Sequence, residues 1–471
     1  MAQPARKPPS ARRRRAVDQS DTLSAARGER SQRERLLDAM IELAGRNGYQ
    51  HVSIAQVSAK AGVSRATFYE QFDDKEDCLL AAFQTAAERL LAQAAPMSPN
   101  GDWSEMARNI LLRLAQALQR DPDAGRLLFV ETLAARPRAG QTQREVVGAF
   151  EQMLREFIDS TPVGAETLDV PPVALLGAIR TIVARYLRTH GEDELPSLAE
   201  HGVGWVRCYT APPGREHWST GPDALLPVPA EPVARPASER RQRRLPRGRH
   251  GLPAGVIARS QRTRIIYGTA EVMLAKGYEN ATVTDIVAAA GVSREVFYEH
   301  FTDKHNAFLE AQQHPTQHIV DVCSAAYFNV PEWPERIWNA LGALLQMIAA
   351  NPAISHLRLV ECYAAGPEAI RRAEEITRSF TIFLEEGYSY RPQAQELPRL
   401  FSHAIAGAIF EIIQRYVARG DTDGLVRCLP QLTYLATAPF IGPAEAIENA
   451  RQLSAKHVAN EDKRARALKG N

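Results

Sequence analysis

Apolar side chains return every three or four residues at Leu36, Leu37, Met40, Ile41, Leu43 and Ala44, and the period recurs at Ile265, Ile266, Val272 and Met273. This spacing collects the apolar groups on one face of a helix, so it predicts an amphipathic helix in each region. Gly48 and Gly277 are its predicted stops. A second helix is predicted to open at Ser53, with Gln56 three residues on, and at Thr282, with Asp285 three residues on. A hydroxyl at the cap and an amide or carboxylate three residues later can satisfy each other's orphan backbone donors. Gly62 and Gly291 then break that helix at a tight corner that needs a positive φ, and Ser64 or Ser293 caps a third helix.

The two segments are one pattern written twice. Ala61-Gly62-Val63-Ser64-Arg65 with Phe68-Tyr69-Glu70 answers Ala290-Gly291-Val292-Ser293-Arg294 with Phe297-Tyr298-Glu299, and the copies align without a gap as far as Lys75 and Lys304. Further landmarks keep the alignment with a shift of one residue: Trp103 with Trp333, Pro122 with Pro352, Glu131 with Glu361, Arg185-Tyr186 with Arg415-Tyr416. The whole unit was duplicated, not its head alone. A chain of 471 residues suggests roughly two to four domains by length. The duplication makes half the chain the natural unit.

The expected fold is therefore all-α, in two tandem units. Its predicted order is a disordered basic arm (1–29), a first helix-turn-helix domain (30–80), a first helical regulatory domain (81–211) and a flexible basic Pro-rich linker (212–256). A second helix-turn-helix domain (257–309), a second helical regulatory domain (310–448) and a fraying polar tail (449–471) follow. Composition fits a globular chain, with 24% charged and 45% hydrophobic residues, and no apolar run approaches the ~18 residues of a membrane span. No membrane partner and a cytoplasmic, DNA-associated location are expected. The net charge of +2 says little; its placement says more. Arg12 to Arg15 precede the first head, and Arg240, Arg241, Arg243, Arg244, Arg247 and Arg249 precede the second. Such arms either follow phosphates or enter a minor groove, or they are solvated charge in a linker; both readings stand. Five scattered cysteines without a CxxC or a metal-spaced histidine pair read as reduced thiols, so no metal and no cofactor are expected.

A helix that reads DNA needs one face pinned to a scaffold and another carrying donors and small groups. On the third helix Phe68 and Phe72, or Phe297 and Phe301, fall on the packing face. Arg65, Ala66, Thr67, Tyr69 and Gln71 are left outward in the first copy, and Arg294, Glu295, Val296, Tyr298 and His300 in the second. Tyr69 and Tyr298 can donate a hydroxyl to the DNA backbone, and Lys75 and Lys304 can place an ammonium at a phosphate. With the caps Ser53, Ser64, Thr282 and Ser293, these are the candidate DNA-binding residues. The copies differ at Ala66/Glu295, Thr67/Val296 and Gln71/His300. A carboxylate at the start of a reading helix repels phosphate but accepts from a cytosine amino group, so Glu295 either weakens the second head or changes its preferred base.

Taken together, these residues resemble the TetR family of transcriptional regulators. The resemblance rests on the Ser or Thr start, the Ala-Gly-Val-Ser turn, the Phe-Tyr pair, a following aromatic and the closing lysine, all present in both heads. It implies an all-helical protein in which a three-helix DNA-binding head precedes a larger domain for pairing and ligand sensing. It also implies double-stranded DNA and an unidentified small-molecule effector as partners, and ligand-released repression as the default. The last helices of each half, around Leu195 to Tyr209 and Leu425 to Leu435, would then form the packing surface between units.

Members of ordinary length resemble half of this chain. A linker of about 43 residues spans very roughly 35 Å when relaxed, so the two units can pair within the chain as a pseudo-dimer on an asymmetric operator, with further oligomerisation open. Aromatics of the regulatory tracts, among them Trp103, Phe129, Tyr186, Trp205, Trp338, Tyr363, Phe380, Phe383, Phe410 and Tyr416, read as core at their helical spacing, as does Met347. No ligand contact is assigned to them. Glu131 and Glu361, matched beside apolar runs, read as buried carboxylates, as interhelical partners of Arg185 or Arg415, or as residues of an exposed helix face; the pattern leaves these open. Enzymatic activity is not expected, since no phosphate-cradling glycine loop, zinc spacing or nucleophile elbow occurs. The rival is an interaction adaptor in which one or both heads no longer bind DNA.

Overall fold

The computed structural model describes residues 32–94, 103–130, 139–159, 167–168, 170–189, 195–211, 253–314 and 316–469. The basic arm, the arginine run of the linker and Glu131 lie outside the described residues.

The fold is helical throughout, apart from a two-residue antiparallel pair between β1 (Thr167–Leu168) and β2 (Thr210–Ala211) among the described residues. The first half contributes α1 (32–47), α2 (Ile54–Ala61), α3 (Arg65–Gln71), α4 (Lys75–Ala94), α5 (Trp103–Arg120), α6 (Pro122–Phe129), α7 (Ala139–Asp159), α8 (Pro172–Thr189) and α9 (Leu195–Arg207). The second contributes α10 (Ala254–Asn280), α11 (Val283–Ala290), α12 (Arg294–His300), α13 (Lys304–Gln313), α14 (Thr316–Tyr327), α15 (Trp333–Ala350), α16 (Pro352–Leu359) and α17 (Pro367–Ser379). It closes with α18 (Gly387–Tyr390), α19 (Leu400–Arg419), α20 (Thr422–Arg427), α21 (Leu429–Ile441) and α22 (Pro443–Lys469). No single helix among the described residues is long and apolar enough to cross a membrane.

Contacts divide the chain into two compact units. One holds the first head with α6. Its core is the predicted apolar face, with Leu36, Met40, Ile41 and Ala44 buried against Val57, Phe68 and Phe72. The helix α6 closes on α1 at Gly45, where an added Cβ would lie 2.2 Å from the Asp123 carbonyl oxygen, and Arg46 Nε donates to Asp123 at 2.9 Å.

The other unit holds the second head and the remaining helices of both halves. Ile265, Ile266, Met273, Phe297 and Phe301 of the head share one core with Leu357 on α16 and Cys362 just after it. Corresponding helices of the two halves, α8 and α19, pack along each other. They meet at Gly177 and Gly407, which occupy matched places in the two copies: a Cβ on Gly177 would stand 2.5 Å from the Gly407 carbonyl oxygen. Arg180 on α8 donates to Glu411 on α19 at 2.8 Å. Tyr209, just after α9, donates to the Leu435 carbonyl of α21 at 2.8 Å and packs edge-on to Tyr434. The expected surface from Leu195 to Tyr209 and Leu425 to Leu435 thus takes part, but the main seam lies one helix earlier in each half.

Two sequence expectations need correction. The segment from Asn449 does not fray as a polar tail; it continues α22 to Lys469, with Ala446 and Ala450 buried and Lys456 paired to Glu335. The second head begins at Ala254, inside the stretch read as linker. The expected stop at Gly277 holds: the long helix breaks in a turn there at φ 74°, and a separate short helical stretch runs on to Asn280. Glu361, finally, pairs with neither Arg185 nor Arg415. Its carboxylate accepts from the Tyr278 backbone N–H at 2.7 Å, beside that turn, and lies 3.2 Å from His356 Nε2.

Candidate nucleic-acid interface and effector cavity

Each head is assembled by local signals that repeat. Ser53 and Gln56 form a reciprocal capping box, with Gln56 N donating to Ser53 Oγ at 3.3 Å and Ser53 N to Gln56 Oε1 at 2.8 Å. Thr282 and Asp285 repeat it at 3.2 and 3.1 Å. The Asp285 carboxyl sits below its usual pKa range because Lys276 and Thr282 donate to it. Gly62 at φ 65° and Gly291 at φ 62° take the left-handed conformation that a Cβ would oppose. The following valine N–H reaches back to Ser58 or Val287, closing the turn. Ser64 Oγ accepts from Thr67 N at 3.0 Å and Ser293 Oγ from Val296 N at 3.3 Å, so both reading helices are capped as predicted.

The reading helices α3 and α12 are pinned by Phe68 and Phe297, both fully buried, and by Phe72 and Phe301 directly after them. Arg33 stacks over the Phe72 ring and donates to the Gln71 carbonyl at 2.8 Å; its counterpart Arg262 stacks over Phe301. With one face held, the opposite face is presented. Ser64, Arg65, Ala66 and Tyr69 are exposed in the first head, and Ser293, Arg294, Glu295 and Tyr298 in the second. Tyr69 is 59% exposed and Tyr298 56%, an unusual state for a large aromatic that recurs at the same place in both copies. The caps Ser53 and Thr282 are exposed as well.

Other candidates sit differently from the expectation. Lys75 turns inward: its ammonium donates to the Val52 carbonyl at 2.7 Å and the Tyr49 carbonyl at 3.3 Å, and lies 4.1 Å from the Tyr49 ring centre. Lys304 repeats this on Tyr278 and Glu279, at 2.7 and 3.4 Å. Both lysines tie the loop before the second helix to the start of the fourth. Thr67 is half-buried with its hydroxyl 3.0 Å from Ser64 Oγ, and Val296 packs against the head's core. Gln71 and His300 are half-buried at the helix end, with His300 Nε2 unpartnered among the described residues. Arg294 donates to Thr284 on α11 at 2.9 Å, which fixes its guanidinium across the helix pair. The outward difference between the reading helices is thus concentrated at Ala66 and Glu295.

A cavity of about 540 Å³ lies in the second half, among α14, α15, α16, α17 and α19. Met347, Phe380, Phe383 and Phe410, expected as core, border it, and so does Tyr267 on the first helix of the second head. The sequence offered no sign of this, because apolar residues around a void have the same period as apolar residues around a packed core. Among the described residues of the first half, a void of about 50 Å³ is lined by Leu111, Ile182, Trp205 and other apolar residues. The five cysteines are unpaired, and burial raises each thiol, Cys78, Cys208 and Cys362 to about 12, Cys323 and Cys428 to about 11.

The sequence model for bacterial regulatory proteins of the tetR family matches residues 36–82 and 265–311, one match in each head. The HTH-type transcriptional repressor KstR of Rhodococcus jostii is 33% identical over 106 residues, covering 22% of this chain and 49% of that protein. The HTH-type transcriptional activator FasR of Mycolicibacterium smegmatis is 24% identical over 178 residues, covering 38% of this chain and 70% of that protein. This chain therefore spans about half the length of KstR. Among solved structures, the fatty acid degradation regulator FadR from Bacillus halodurans aligns at 20% identity and a TM-score of 0.36, over 39% of this chain and 97% of that one. With a family match on each head, and with the capped helices, left-handed glycine corner and exposed tyrosine repeated in both, the two heads of this chain belong to the tetR family of bacterial regulatory proteins and stand in tandem.

Proposed function

We propose that the chain is a sequence-specific DNA-binding transcriptional regulator in which two unlike heads read an asymmetric operator and an effector in the second half's cavity releases the DNA. The observation that carries the reading is the repeated presentation of Tyr69 and Tyr298 on helices whose other face is locked by Phe68 and Phe297. An exposed phenol beside an exposed arginine supplies a phosphate contact and a base-edge donor from one short helix. Pairing of the two halves within one chain is supported by the seam between α8 and α19, which joins matched helices at matched glycines. Ligand-released repression draws on KstR, whose name describes a repressor.

Release has a physical route. The helix α16 borders the cavity, shares a core with α10 of the second head, and is tied to the seam where Gln414 of α19 donates to the Leu359 carbonyl at 3.0 Å. A ligand that shifts α16 changes how the second head is held. It weakens DNA binding only to the extent that it prefers the shifted arrangement.

Selection of bound duplexes from a random pool tests the whole reading. Two unlike half-sites are expected, separated by about one helical turn or a multiple, ~34 to 36 Å. Paired substitutions R65A/Y69A and R294A/Y298A should each erase one half-site from the recovered motif. If the second pair changes neither affinity nor motif, the second head is an interaction module and the two-reader proposal fails.

A further inference from the structure

The cavity in the second half contains one group that its own protein does not satisfy. Arg358 on α16 lines it and is 7% exposed, yet has no ion-pair partner among the described residues. Its Nη2 donates a long 3.3 Å bond to Thr316, and its Nη1 is buried with no acceptor. Three other polar groups of the lining are satisfied at home. Asn351 donates to the Met347 carbonyl at 3.0 Å, Ser355 to the Ile348 carbonyl at 3.1 Å and Thr377 to the Ala373 carbonyl at 3.0 Å. The rest of the wall is dominated by aliphatic and aromatic side chains such as Leu344, Met347, Phe380 and Ile413.

A buried cation without a counter-charge is costly to keep, and the desolvation that makes it so lowers the Arg358 pKa to about 10. The guanidinium is still protonated at neutral pH. A fork of N–H donors matches the two oxygens of a carboxylate, and about 540 Å³ is within the range of cavities that enclose a small organic ligand. We infer that the effector is an apolar monocarboxylic acid, its carboxylate seated on Arg358 and its body filling the void between α14, α15, α17 and α19. Among the described residues of the first half, the void of about 50 Å³ with an apolar wall is too small for such an acid, so the expected stoichiometry is one acid per chain. This inference rests on the reading of the cavity as the effector site and names the chemistry that site selects.

Calorimetric titration of the full chain, without DNA, tests it with laurate, a bulky ring acid such as lithocholate, dodecanol and lauroyl-CoA. At least one of the acids should bind with one site per chain and roughly 10- to 100-fold more tightly than dodecanol, the discrimination expected of a charge-assisted pair. In R358M that preference should vanish while dodecanol binding persists, which also shows that the variant's cavity is intact. Equal binding of acid and alcohol, two sites per chain, tighter binding of the thioester than of the acids, no binding by either acid, or an acid preference retained in R358M would each overturn the inference. A parallel measurement of operator binding separates the two readings. An acid that binds but leaves DNA in place overturns ligand release and keeps the ligand class.

Discussion

At the scale of single residues, the same side chain can look like a reader and act as a brace. Lys75 and Lys304 follow the reading helices, where an ammonium could meet a phosphate, but each donates to two carbonyls of the loop before the second helix and sits over a tyrosine ring. Removing such a brace leaves partly buried carbonyls without donors, a loss of about 1–3 kcal/mol. K75M and K304M are therefore expected to lower thermal stability, while the salt dependence of DNA binding stays as it was. A lysine that neutralises a phosphate would instead reduce the salt slope by about one when removed. Measuring the melting curve and the slope on the same variant decides between them, and a slope reduced with stability unchanged would restore the phosphate role. The inward turn was not legible in the sequence, because the accepting carbonyls of Val52 and Tyr278 are brought to the lysine only by the folded loop. The same holds for Arg358, whose missing partner is a property of the space around it. Tyr69 and Tyr298 could be read in advance, since their neighbours Phe68 and Phe297 already claim the packing face.

At the scale of helices, what could be read was local and what was missed depended on neighbours. The capping boxes, the left-handed glycines and the capped reading helices all stood in the sequence, because each is a contact within a few residues. The course of α22 did not, since its polar composition hides a short apolar stripe at Ala446, Ile447 and Ala450, buried in a helix that packs along α21 and against α15. The seam between α8 and α19 was likewise placed one helix too late. Its geometry turns on two small residues. An alanine in a helix is normally favoured over glycine by about 1 kcal/mol, so propensity alone would make G177A and G407A stabilising. Contact decides otherwise: a Cβ on Gly177 would stand 2.5 Å from the Gly407 carbonyl oxygen, and one on Gly407 would stand 2.2 Å from Thr181 Oγ1. Overpacking of this kind costs about 1–3 kcal/mol, and here much of the obstruction is backbone. Both variants are expected to melt below the parent protein, with G177A/G407A losing less than the sum because the two changes open the same crossing. A raised melting temperature in either single variant would mean that this approach is looser than its geometry implies.

At the scale of the whole chain, duplication allows the two heads to diverge, which a homodimer of identical chains cannot do. The reading helices α3 and α12 differ at Ala66/Glu295, Thr67/Val296 and Gln71/His300, and share Arg, Phe, Tyr and Glu between them. Three substitutions therefore convert the second into a copy of the first: E295A, V296T and H300Q. The exchange suits the local packing, because the Thr67 hydroxyl meets Ser64 at 3.0 Å in the first head and a threonine at Val296 would find Ser293 in the same relation. If each head reads its own half-site, the triple variant should recover a palindrome from a random pool, with both halves matching the site that R65A/Y69A erases in the parent chain. The spacing between half-sites should be unchanged, since the helical scaffold is left intact. Each mismatched base pair typically costs about 1–3 kcal/mol, so the variant should bind the parent's asymmetric operator roughly 10- to 100-fold more weakly than its new palindrome. A motif that stays asymmetric in the triple variant would mean that α12 does not set the second half-site, and the difference between the heads would then have to lie outside the reading helix.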